Sequence, residues 1–450
     1  MAYIGNTDAD RRAMLERIGV ESVEELFGVV PEDVRFPKLA LPSALSEAEV
    51  LEELEGLAGK NGCAEGPLSF LGAGAYNRFV PSVVPYLASR GEFVTAYTPY
   101  QPEASQGTLQ ALFEYQTMVA DLTGMHVVNA SHYDAATSVA EAALMSIHIS
   151  RDKRRRVVVS PGLHPEYVET ARTYLQAMDA EVVGDEQDAD GEYADPMRLA
   201  ELADENTACV VVQYPDFFGR LYSLEGVAKA VHAKGALLVV HIDPIALGLF
   251  RSPGSYGADL VTGEGQPLGM PLSYGGPYLG IFACRREYVR RLPGRLAGRT
   301  VDTEGRQGFV LTLSTREQHI RREKATSNIC TNQGLMALHA ALYLAAMGRR
   351  GLKTVAELSY HRSHYAASQL ATIDGFSART DVPFFSEFVL DTPMEAERII
   401  SRACEKGVVP GFDLGRYYPA RKNQLLVCVT EMNSRKQIDT LRATLEEVVR

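Results

Sequence analysis

Residues 237–247 read Leu-Leu-Val-Val-His-Ile-Asp-Pro-Ile-Ala-Leu, and this stretch decides the fold. Its opening part, Leu237–His241, is a short and nearly continuous apolar run, which predicts a strand buried on both faces of a parallel sheet. Asp243 comes just past this strand, so we expect its carboxyl group at the carboxyl edge of the sheet, where ligands bind in such folds. The alternative is a turn in which Asp243 bonds only to its local backbone.

Similar runs occur on both sides of this stretch and alternate with helical segments. The predicted strands are His126–Asn129, Arg156–Ser160, Cys209–Gln213, Leu237–His241, Asp259–Thr262 and Tyr278–Cys284. Helical patterns at Pro196–Ala203 and Leu224–Lys234 lie between them. This order predicts an α/β fold, with a mostly parallel central sheet covered by helices on both faces.

Three parts are expected along the chain: a helical arm at 1–90, the large α/β domain at 91–333 and a small α+β domain at 334–450. In the arm, the Ser22–Glu25 and Ser46–Glu49 pairs predict capping boxes at helix starts. A chain of 450 residues is too long for one simple core, which favours such a division.

Composition argues against several classes of function. The net charge of −12 argues against nucleic acid as the main partner, because phosphate binding needs a basic face. Charged residues within Asp8–Arg12 interrupt any signal-peptide pattern, and no apolar run reaches membrane length, so we expect a cytoplasmic protein and no membrane partner. The six cysteines lack metal-ligand spacing, so we expect reduced thiols and no metal site.

The first candidate for chemistry is the stretch from Thr95 to Gly107. It contains two prolines, two tyrosines, two glutamines and a glutamate directly before a predicted helix. A stiff, polar and aromatic loop at a helix N-terminus is suited to holding an anionic small molecule. A rigid connecting loop with hydrogen-bonded tyrosines explains the same residues, and chemistry alone leaves both interpretations open.

The second candidate is Asn129–Thr137, where a strand ends and a helix, Ser138–Ser146, begins among small residues. Free backbone N–H groups and the helix dipole favour a phosphate at such a place. Asp134 and Thr137 are the side chains that we expect there. The alternative is an ordinary helix start capped by Asp134.

The third candidate, Gly263–Pro277, is a loop rich in glycine and proline that follows a predicted strand. It comes about twenty residues after Asp243, where enzymes that use pyridoxal phosphate (PLP) carry the lysine that binds the cofactor. In such enzymes an aspartate at the place of Asp243 pairs with the pyridinium nitrogen. No lysine occurs between Lys234 and Lys324, so this loop offers nothing nucleophilic.

The fourth candidate, Thr315–Gln333, packs four basic residues, a histidine and many amide and hydroxyl groups into one stretch. A solvated, charged helix face is one interpretation. However, Thr326, Ser327 and Asn328 are poor helix formers, which favours polar contacts to another group. Lys324 is the only nearby amine, and its ion-rich surroundings argue against a role in binding an aldehyde cofactor.

These stretches resemble the N-terminal half of the glycine decarboxylase P-proteins of the glycine cleavage system. The matching segments are Phe70–Tyr76, Tyr97–Glu103, Ser105–Glu114, Asn129–Ser131, His241–Leu247, Gly275–Pro277 and Thr315–Cys330. The resemblance implies the fold of fold-type-I PLP-dependent transferases, which is similar to that of aspartate aminotransferase. It also implies that the chain is one of two homologous halves, which some organisms make as two subunits.

The resemblance further implies the activity of a glycine dehydrogenase (aminomethyl-transferring). With its PLP-carrying partner, subunit 2, the chain is expected to decarboxylate glycine, release CO2 and pass the aminomethyl group to the lipoyl arm of the H-protein. Gln266 and Pro267 stand about where the other half carries its cofactor-binding lysine, so no catalytic residue is assigned to this chain. PLP is expected on the partner, in an assembly of two plus two subunits.

Residues in two segments of this chain are then expected to line the partner's site. The candidates are Tyr97, Tyr100, Gln101, Glu103, Ser105, Gln106, Thr326, Ser327 and Asn328. Asp134, Thr137 and Asp243 become vestigial cofactor-site positions in this chain. Ala135 stands where the family often has glycine, which puts a second phosphate site in doubt, and Arg78 is given no catalytic role.

Two alternatives remain open at this point. The chain could be a self-sufficient PLP enzyme of the same fold that uses Lys234 or Lys324. It could also be a purely structural partner that contributes no residue to a site.

Overall fold

The secondary structure follows the predicted alternation of strands and helices. The computed structural model describes residues 5–61, 68–95, 97–186, 195–325, 327–330 and 332–450. Its α-helices are α1 (Asp8–Ile18), α2 (Glu47–Ala58), α3 (Val83–Ala88), α4 (Gly91–Val94), α5 (Gln106–Thr123), α6 (Ala135–Ile149), α7 (Pro165–Leu175), α8 (Pro196–Glu201), α9 (Val227–Ala233), α10 (Gln318–Arg321), α11 (Gly334–Leu370), α12 (Ala396–Cys404) and α13 (Arg435–Val448). Its strands are β1 (Leu68–Ser69), β2 (Val127–Val128), β3 (Arg156–Val159), β4 (Glu181–Val183), β5 (Thr207–Tyr214), β6 (Leu237–Ile242), β7 (Leu260–Glu264), β8 (Gly280–Cys284), β9 (Leu296–Val301), β10 (Gln307–Thr312), β11 (Ser377–Ala378), β12 (Glu387–Asp391), β13 (Val408–Val409), β14 (Phe412–Asp413) and β15 (Gln424–Cys428).

The central sheet has seven strands in the order β2-β8-β7-β6-β5-β3-β4. The pairs from β4 through β3, β5 and β6 to β7 are parallel, whereas β8 runs antiparallel to both β7 and β2. The predicted α/β fold with a mostly parallel sheet is therefore confirmed. Each predicted strand of this sheet overlaps an observed strand, because continuous apolar runs identify strands that are covered on both faces.

Strand β5 shows why these runs are apolar throughout. Successive side chains of a strand point to opposite faces of the sheet. Val210 and Val212 pack in one hydrophobic core together with residues of α5 and α11. Cys209 and Val211 pack in a second core together with residues of α6 and α7. Because both faces are buried, both sets of alternating positions in the middle of the strand are apolar, whereas polar residues such as Thr207 and Gln213 stand near its ends.

The C-terminal part forms a separate, antiparallel sheet of four strands in the order β11-β12-β15-β14. Leu425 and Val427 of β15 pack against Leu441 and Leu445 of α13 in a third core. The first residue of β12, Glu387, belongs to the polar site described below. This sheet therefore supplies a side chain to the edge of the central one.

The chain divides into two compact units, Met1–Gly62 and Cys63–Arg450, and the predicted division into three parts stays a prediction. In the first unit the Ser46–Glu49 capping box at α2 is confirmed. The Ser22–Glu25 box is only half formed. The Ser22 hydroxyl oxygen accepts the N–H of Glu25 at 3.3 Å, but the Glu25 carboxylate accepts the N–H of Glu21 rather than that of Ser22, and only a four-residue 3-10 helix follows. Among the described residues, no helix is both long and apolar enough to cross a membrane.

Candidate functional site

A cluster of polar side chains lies at the carboxyl edge of the central sheet. We call this the edge cluster, and it consists of Tyr76, Arg78, Asp243, Glu264, Gln266 and Glu387. Asp243 follows β6 and Glu264 ends β7, so neighbouring parallel strands bring the two acids to the same edge. A small cavity of about 30 Å³ lies beside the cluster and is also lined by His164 and Tyr167. The fold thus forms a pocket at the place where the sequence predicts a ligand site.

Gln266 is the first residue of the Gln266–Pro267 pair, which is expected about where the other half carries its cofactor-binding lysine, and it is fully buried. Its side-chain oxygen accepts the N–H of Tyr76 at 3.0 Å, and its Nε2 donates to the carbonyls of Tyr76 and Met270, both at 2.9 Å. All of these bonds go to backbone groups, so Gln266 fastens the segment around Tyr76 to the loop after β7. Pro267 lines the small cavity.

Asp243 makes the local turn that was the alternative interpretation, because its Oδ1 accepts the N–H of Ile245 at 2.8 Å. Its other oxygen lies 3.7 Å from the guanidinium of Arg78, which is buried. The same guanidinium donates to Glu431 at 2.8 Å and to Ser359 at 2.7 Å. Burial would lower the pKa of Arg78, but the carboxylates of Glu431 and Asp243 outweigh it and hold the pKa above its usual value. A permanent cation therefore faces Asp243.

The start of α6 is capped by Asp134, as the alternative interpretation expects, and Thr137 completes a capping box. Asp134 Oδ1 accepts the Thr137 N–H at 2.8 Å, and the Thr137 hydroxyl donates to the same oxygen at 2.8 Å. The two side chains therefore satisfy each other. The backbone N–H of Ala135, the first residue of α6, donates to the carboxylate of Glu264 at 3.0 Å. The amino end of α6 thus already holds an anion from its own chain.

The residues present do not fit PLP in this chain. A site for the cofactor needs an amine to bind the aldehyde, a free aspartate for the ring nitrogen and open N–H groups for the phosphate. Here Gln266 is an amide, Arg78 faces Asp243, and Glu264 takes the N–H of Ala135. The cavity of about 30 Å³ is also far smaller than the roughly 300–1,000 Å³ of usual ligand pockets.

Glu387 is a second buried carboxyl group of the edge cluster. It accepts the N–H of Ala73 at 2.7 Å and the hydroxyl of Tyr76 at 2.8 Å. Burial raises the pKa of Glu387 to about 7, although both hydrogen bonds work against the shift. Burial likewise raises the pKa of the Tyr76 hydroxyl, with a further contribution from Glu387. This part of the cluster therefore titrates near neutral pH through Glu387.

Glu387→Gln is expected to change how stability depends on pH. The pKa of Glu387 is higher in the fold than its ordinary 4.5, so its contribution is complete below about pH 4.5 and is lost as the pH rises through 7. Between pH 5 and 8, the wild type should lose up to about 3 kcal/mol of unfolding free energy that the variant keeps. Urea unfolding at both pH values measures this difference.

The charged groups around Glu387, namely Arg78 and Asp243, are the same in both proteins and so cancel in this comparison. Parallel pH profiles of the wild type and the variant would contradict the prediction.

The loop 97–105, which we call the Tyr97 loop, lies on the surface and is anchored at two points. Arg295 donates to the Tyr100 hydroxyl at 2.8 Å. Gln106 pairs with the backbone of Phe309, accepting its N–H at 2.9 Å and donating to its carbonyl at 2.8 Å. Between these anchors the loop keeps Gln101 and Glu103 exposed, and Tyr97 is 84% exposed. Tyr100 and Gln106 thus hold the loop, while Tyr97, Gln101 and Glu103 are exposed.

The second candidate segment is divided between structural and exposed positions. Ser327 donates to the Glu141 carboxylate of α6 at 2.7 Å, and Asn328 is exposed. Burial raises the pKa of Glu141 to about 7, and the Ser327 hydroxyl opposes that shift. Thr326 lies outside the described residues. Ser105 precedes α5 but makes no side-chain cap to it.

Sequence reasoning missed Arg295, which is buried beneath the Tyr97 loop. Its guanidinium lies 3.6 Å from the Glu317 carboxylate. It also lies 5.1 Å from the centre of the Tyr100 ring. Arg295 also lines a cavity of about 210 Å³ together with Tyr97 and Asn332. No sequence signal distinguished this arginine from the many exposed arginines, because its contacts come from three distant segments.

The chain is similar over its whole length to known proteins. The family model for the glycine cleavage system P-protein matches residues 1–445. A protein of Thermomicrobium roseum named "Probable glycine dehydrogenase (decarboxylating) subunit 1" is 51% identical, with 99% of each chain covered. A crystal structure of an inhibitor-bound glycine decarboxylase (P-protein) covers 100% of both chains, with 44% identity and a TM-score of 0.92.

A glutamate decarboxylase of Lactobacillus brevis shares only the fold, with 13% identity, a TM-score of 0.67 and coverage of 95% of this chain and 98% of that one. These matches confirm the predicted fold-type-I architecture. The full-length identity and the family model agree, and the chain belongs to the glycine cleavage system P-protein family as a subunit 1.

Proposed function

We propose that the chain is one subunit of a glycine decarboxylase and acts with a second subunit that carries PLP. Together they decarboxylate glycine, release CO2 and transfer the aminomethyl group to the lipoyl arm of the H-protein. The similarity to a P-protein structure and to subunits named glycine dehydrogenase supports this proposal. The observation that carries it is that the pair Gln266–Pro267 offers no amine: the Gln266 side chain is buried and hydrogen-bonded to backbone groups, and Pro267 lines the small cavity.

In this division of labour, PLP on the partner supplies an electron sink for decarboxylation when it is bound. The contribution of this chain is to bind, orient and shield the substrate from water. The Tyr97 loop is suited to this work because Arg295 and Phe309 hold its two ends. A fixed loop loses little conformational entropy when a ligand or a partner orders against it.

Two cavities flank the loop. The first, of about 210 Å³, combines Tyr97, Arg295 and Asn332 with apolar side chains such as Leu112 and Leu338. The second is an open cleft lined by residues on the other side of the loop, among them Tyr100, Gln101 and Ser105. The apolar walls and few polar groups of the first cavity are typical of small-molecule sites, whereas the second cleft is lined mainly by polar side chains. We therefore place this chain's share of the active site on the loop.

The exposed aromatic residues of this region favour a neighbouring chain that covers them. Tyr86 is 70% exposed, Tyr97 is 84% exposed and Tyr100 is 48% exposed. Tyrosine is enriched where proteins bind each other, because its ring is apolar and its hydroxyl keeps a polar contact. We infer that the PLP-carrying subunit covers this face, and that two such pairs form a two-plus-two assembly in the cytoplasm.

The geometry weighs against a self-sufficient enzyme. Lys234 precedes the start of β6, whereas Asp243 follows its end. A strand of this length places roughly 20 Å between the two positions, beyond the reach of a lysine side chain. Lys324 is exposed, in a 3-10 helix among charged residues.

Reconstitution tests the proposal. The full chain and the lysine-carrying subunit are purified separately and mixed with lipoylated H-protein and carboxyl-labelled glycine. We expect each subunit alone to release less than about 1% of the labelled CO2 that the mixture releases, because a separated partner loses the positioning groups. The visible absorbance of bound PLP should belong to the lysine-carrying subunit. PLP absorbance and glycine decarboxylation by this chain alone would overturn the proposal.

A further inference from the structure

The carboxylate of Glu264 is held by N–H groups from three separate segments. Its Oε2 accepts the N–H of Ala135, the first residue of the 15-residue helix α6, at 3.0 Å. Its Oε1 accepts the N–H of Gln266 at 2.9 Å and that of Leu279 at 3.1 Å. The residue is only 6% exposed. A full set of backbone donors therefore converges on one buried anion.

Such a set of donors is an anion site in physical terms. Helix N-termini and converging backbone N–H groups bind phosphate and carboxylate, because they present partial positive charge at a fixed place. Glu264 is the last residue of β7, so the central sheet fixes the backbone from which its carboxylate reaches this place. The donors and the acceptor belong to the same rigid edge of the sheet.

The opposite end of the pocket has the reverse arrangement. There the guanidinium of Arg78 lies 3.7 Å from Asp243, an acid that in PLP enzymes pairs with a cationic ring nitrogen. Tyr76 and His164 line the same cavity of about 30 Å³ as Asp243 and Glu264. Glu264 thus accepts an N–H group at the helix start where a bound phosphate would be held, and Arg78 pairs with the carboxylate that a ring cation would need.

We propose that Glu264 is a built-in substitute for a bound phosphate, which permanently occupies the anion site at the amino end of α6 and closes this pocket to phosphate-bearing ligands. Arg78 plays the matching part at the other end, as a substitute for the ring cation. The pocket is then a sealed structural element of the subunit. This inference concerns the chain's own pocket and stands whether or not the Tyr97 loop takes part in catalysis.

Removing the carboxylate should recreate an open anion site. Glu264→Ala removes a group equivalent to acetate and leaves the N–H groups of Ala135, Gln266 and Leu279 without an acceptor. Because burial raises the pKa of Glu264 to about 7, the test is made at pH 8, where the wild-type carboxylate is ionised. We expect the variant to lose about 5 °C in Tm, since buried donors are left unsatisfied.

Acetate should then restore the variant. Tm of the full-length Glu264→Ala chain is measured in sodium acetate and in sodium chloride at equal ionic strength. We expect Tm to rise with the logarithm of acetate concentration, by several degrees at about 0.3 M, as it does for a ligand that binds only the folded state. Inorganic phosphate at low millimolar concentration serves as a second anion probe.

Three controls isolate the effect. The wild type and Glu264→Gln should not respond to acetate beyond chloride, because both keep the site filled. Glu304→Ala, at a glutamate whose side chain is 69% exposed, should not respond either. If Glu264→Ala does not remain folded, its refolding yield from urea is measured instead, and we expect at least a threefold higher yield in acetate than in chloride.

An equal response of all four proteins to acetate, or no response of Glu264→Ala in Tm or in refolding yield, would falsify the proposal. Neither result would affect the reconstitution of glycine decarboxylase activity, so the two proposals fail separately.

Discussion

Arg78→Met is expected to lower the free energy of unfolding by about 3–5 kcal/mol, because it leaves buried carboxylates without their cation. In the wild type the Arg78 guanidinium pairs with Glu431 at 2.8 Å and lies 3.7 Å from Asp243. Methionine has a similar length and apolar stem, so the loss reports the missing charge rather than a large cavity. The chain has no tryptophan, so unfolding in urea is followed by circular dichroism.

Arg306→Met is the matched control for this prediction. The Arg306 side chain is 72% exposed and pairs with Asp302 on the surface, so its replacement should cost at most about 1 kcal/mol. A double variant, Arg78→Met with Glu431→Gln, should lose clearly less than the sum of the two single variants, because neutralising Glu431 removes one of the charges left unpaired. Additive losses, or an effect of Arg78→Met as small as that of the control, would show that the buried pair does not hold the edge cluster.

Tyr97→Ala is expected to lower kcat/KM for glycine roughly 100-fold in the reconstituted complex while leaving the stability of the chain unchanged. The side chain is 84% exposed, so its removal costs the isolated fold little. Under the proposed function, the ring closes the cavity that it shares with Arg295 and positions the substrate. Loss of a positioning group by itself commonly costs about two orders of magnitude in rate.

Further variants separate the possible causes of such a loss. Tyr97→Phe keeps the ring and should retain most activity if packing is what matters, whereas Glu103→Gln tests the exposed charge on the same loop. Tyr174→Ala, at an exposed tyrosine of α7 outside the loop, is the control and should keep wild-type kcat/KM. If all the loop variants stay within about twofold of the wild type, the loop is only structural and the alternative of a purely structural partner is correct.

The sequence predicted the sheet well because its signal is local. Runs such as Leu237–Val240 are apolar at every position, and this pattern is typical of strands covered on both faces. The capping box at Asp134 was also visible, since it depends on residues three apart. The Ser22–Glu25 pair shows the limit of such a rule, because Glu25 turned to the N–H of Glu21 instead.

The contents of the edge cluster could not be predicted, because they depend on contacts between distant segments. Arg78 meets Ser359 and Glu431 across more than 280 positions of the chain. Glu264 appeared only as the acid in a glycine-rich loop, and nothing in the pattern indicated that its carboxylate would reach Ala135 at 3.0 Å. The absence of a lysine was visible in the sequence, whereas the filling of its place by hydrogen bonds to Tyr76 was not.

The three hydrogen bonds of Gln266 bear on the history of this fold. Cofactor binding in this chain would require an amine at Gln266 or Pro267. A lysine in place of Gln266 would lose the hydrogen bonds to Tyr76 and Met270 and would bury a second cation in addition to Arg78. Removing Glu264 alone would leave buried N–H groups without an acceptor, and removing Arg78 alone would leave buried carboxylates without their cation. Each of these single substitutions therefore lowers the stability of the fold. A stepwise return to cofactor binding in this subunit is opposed at every step.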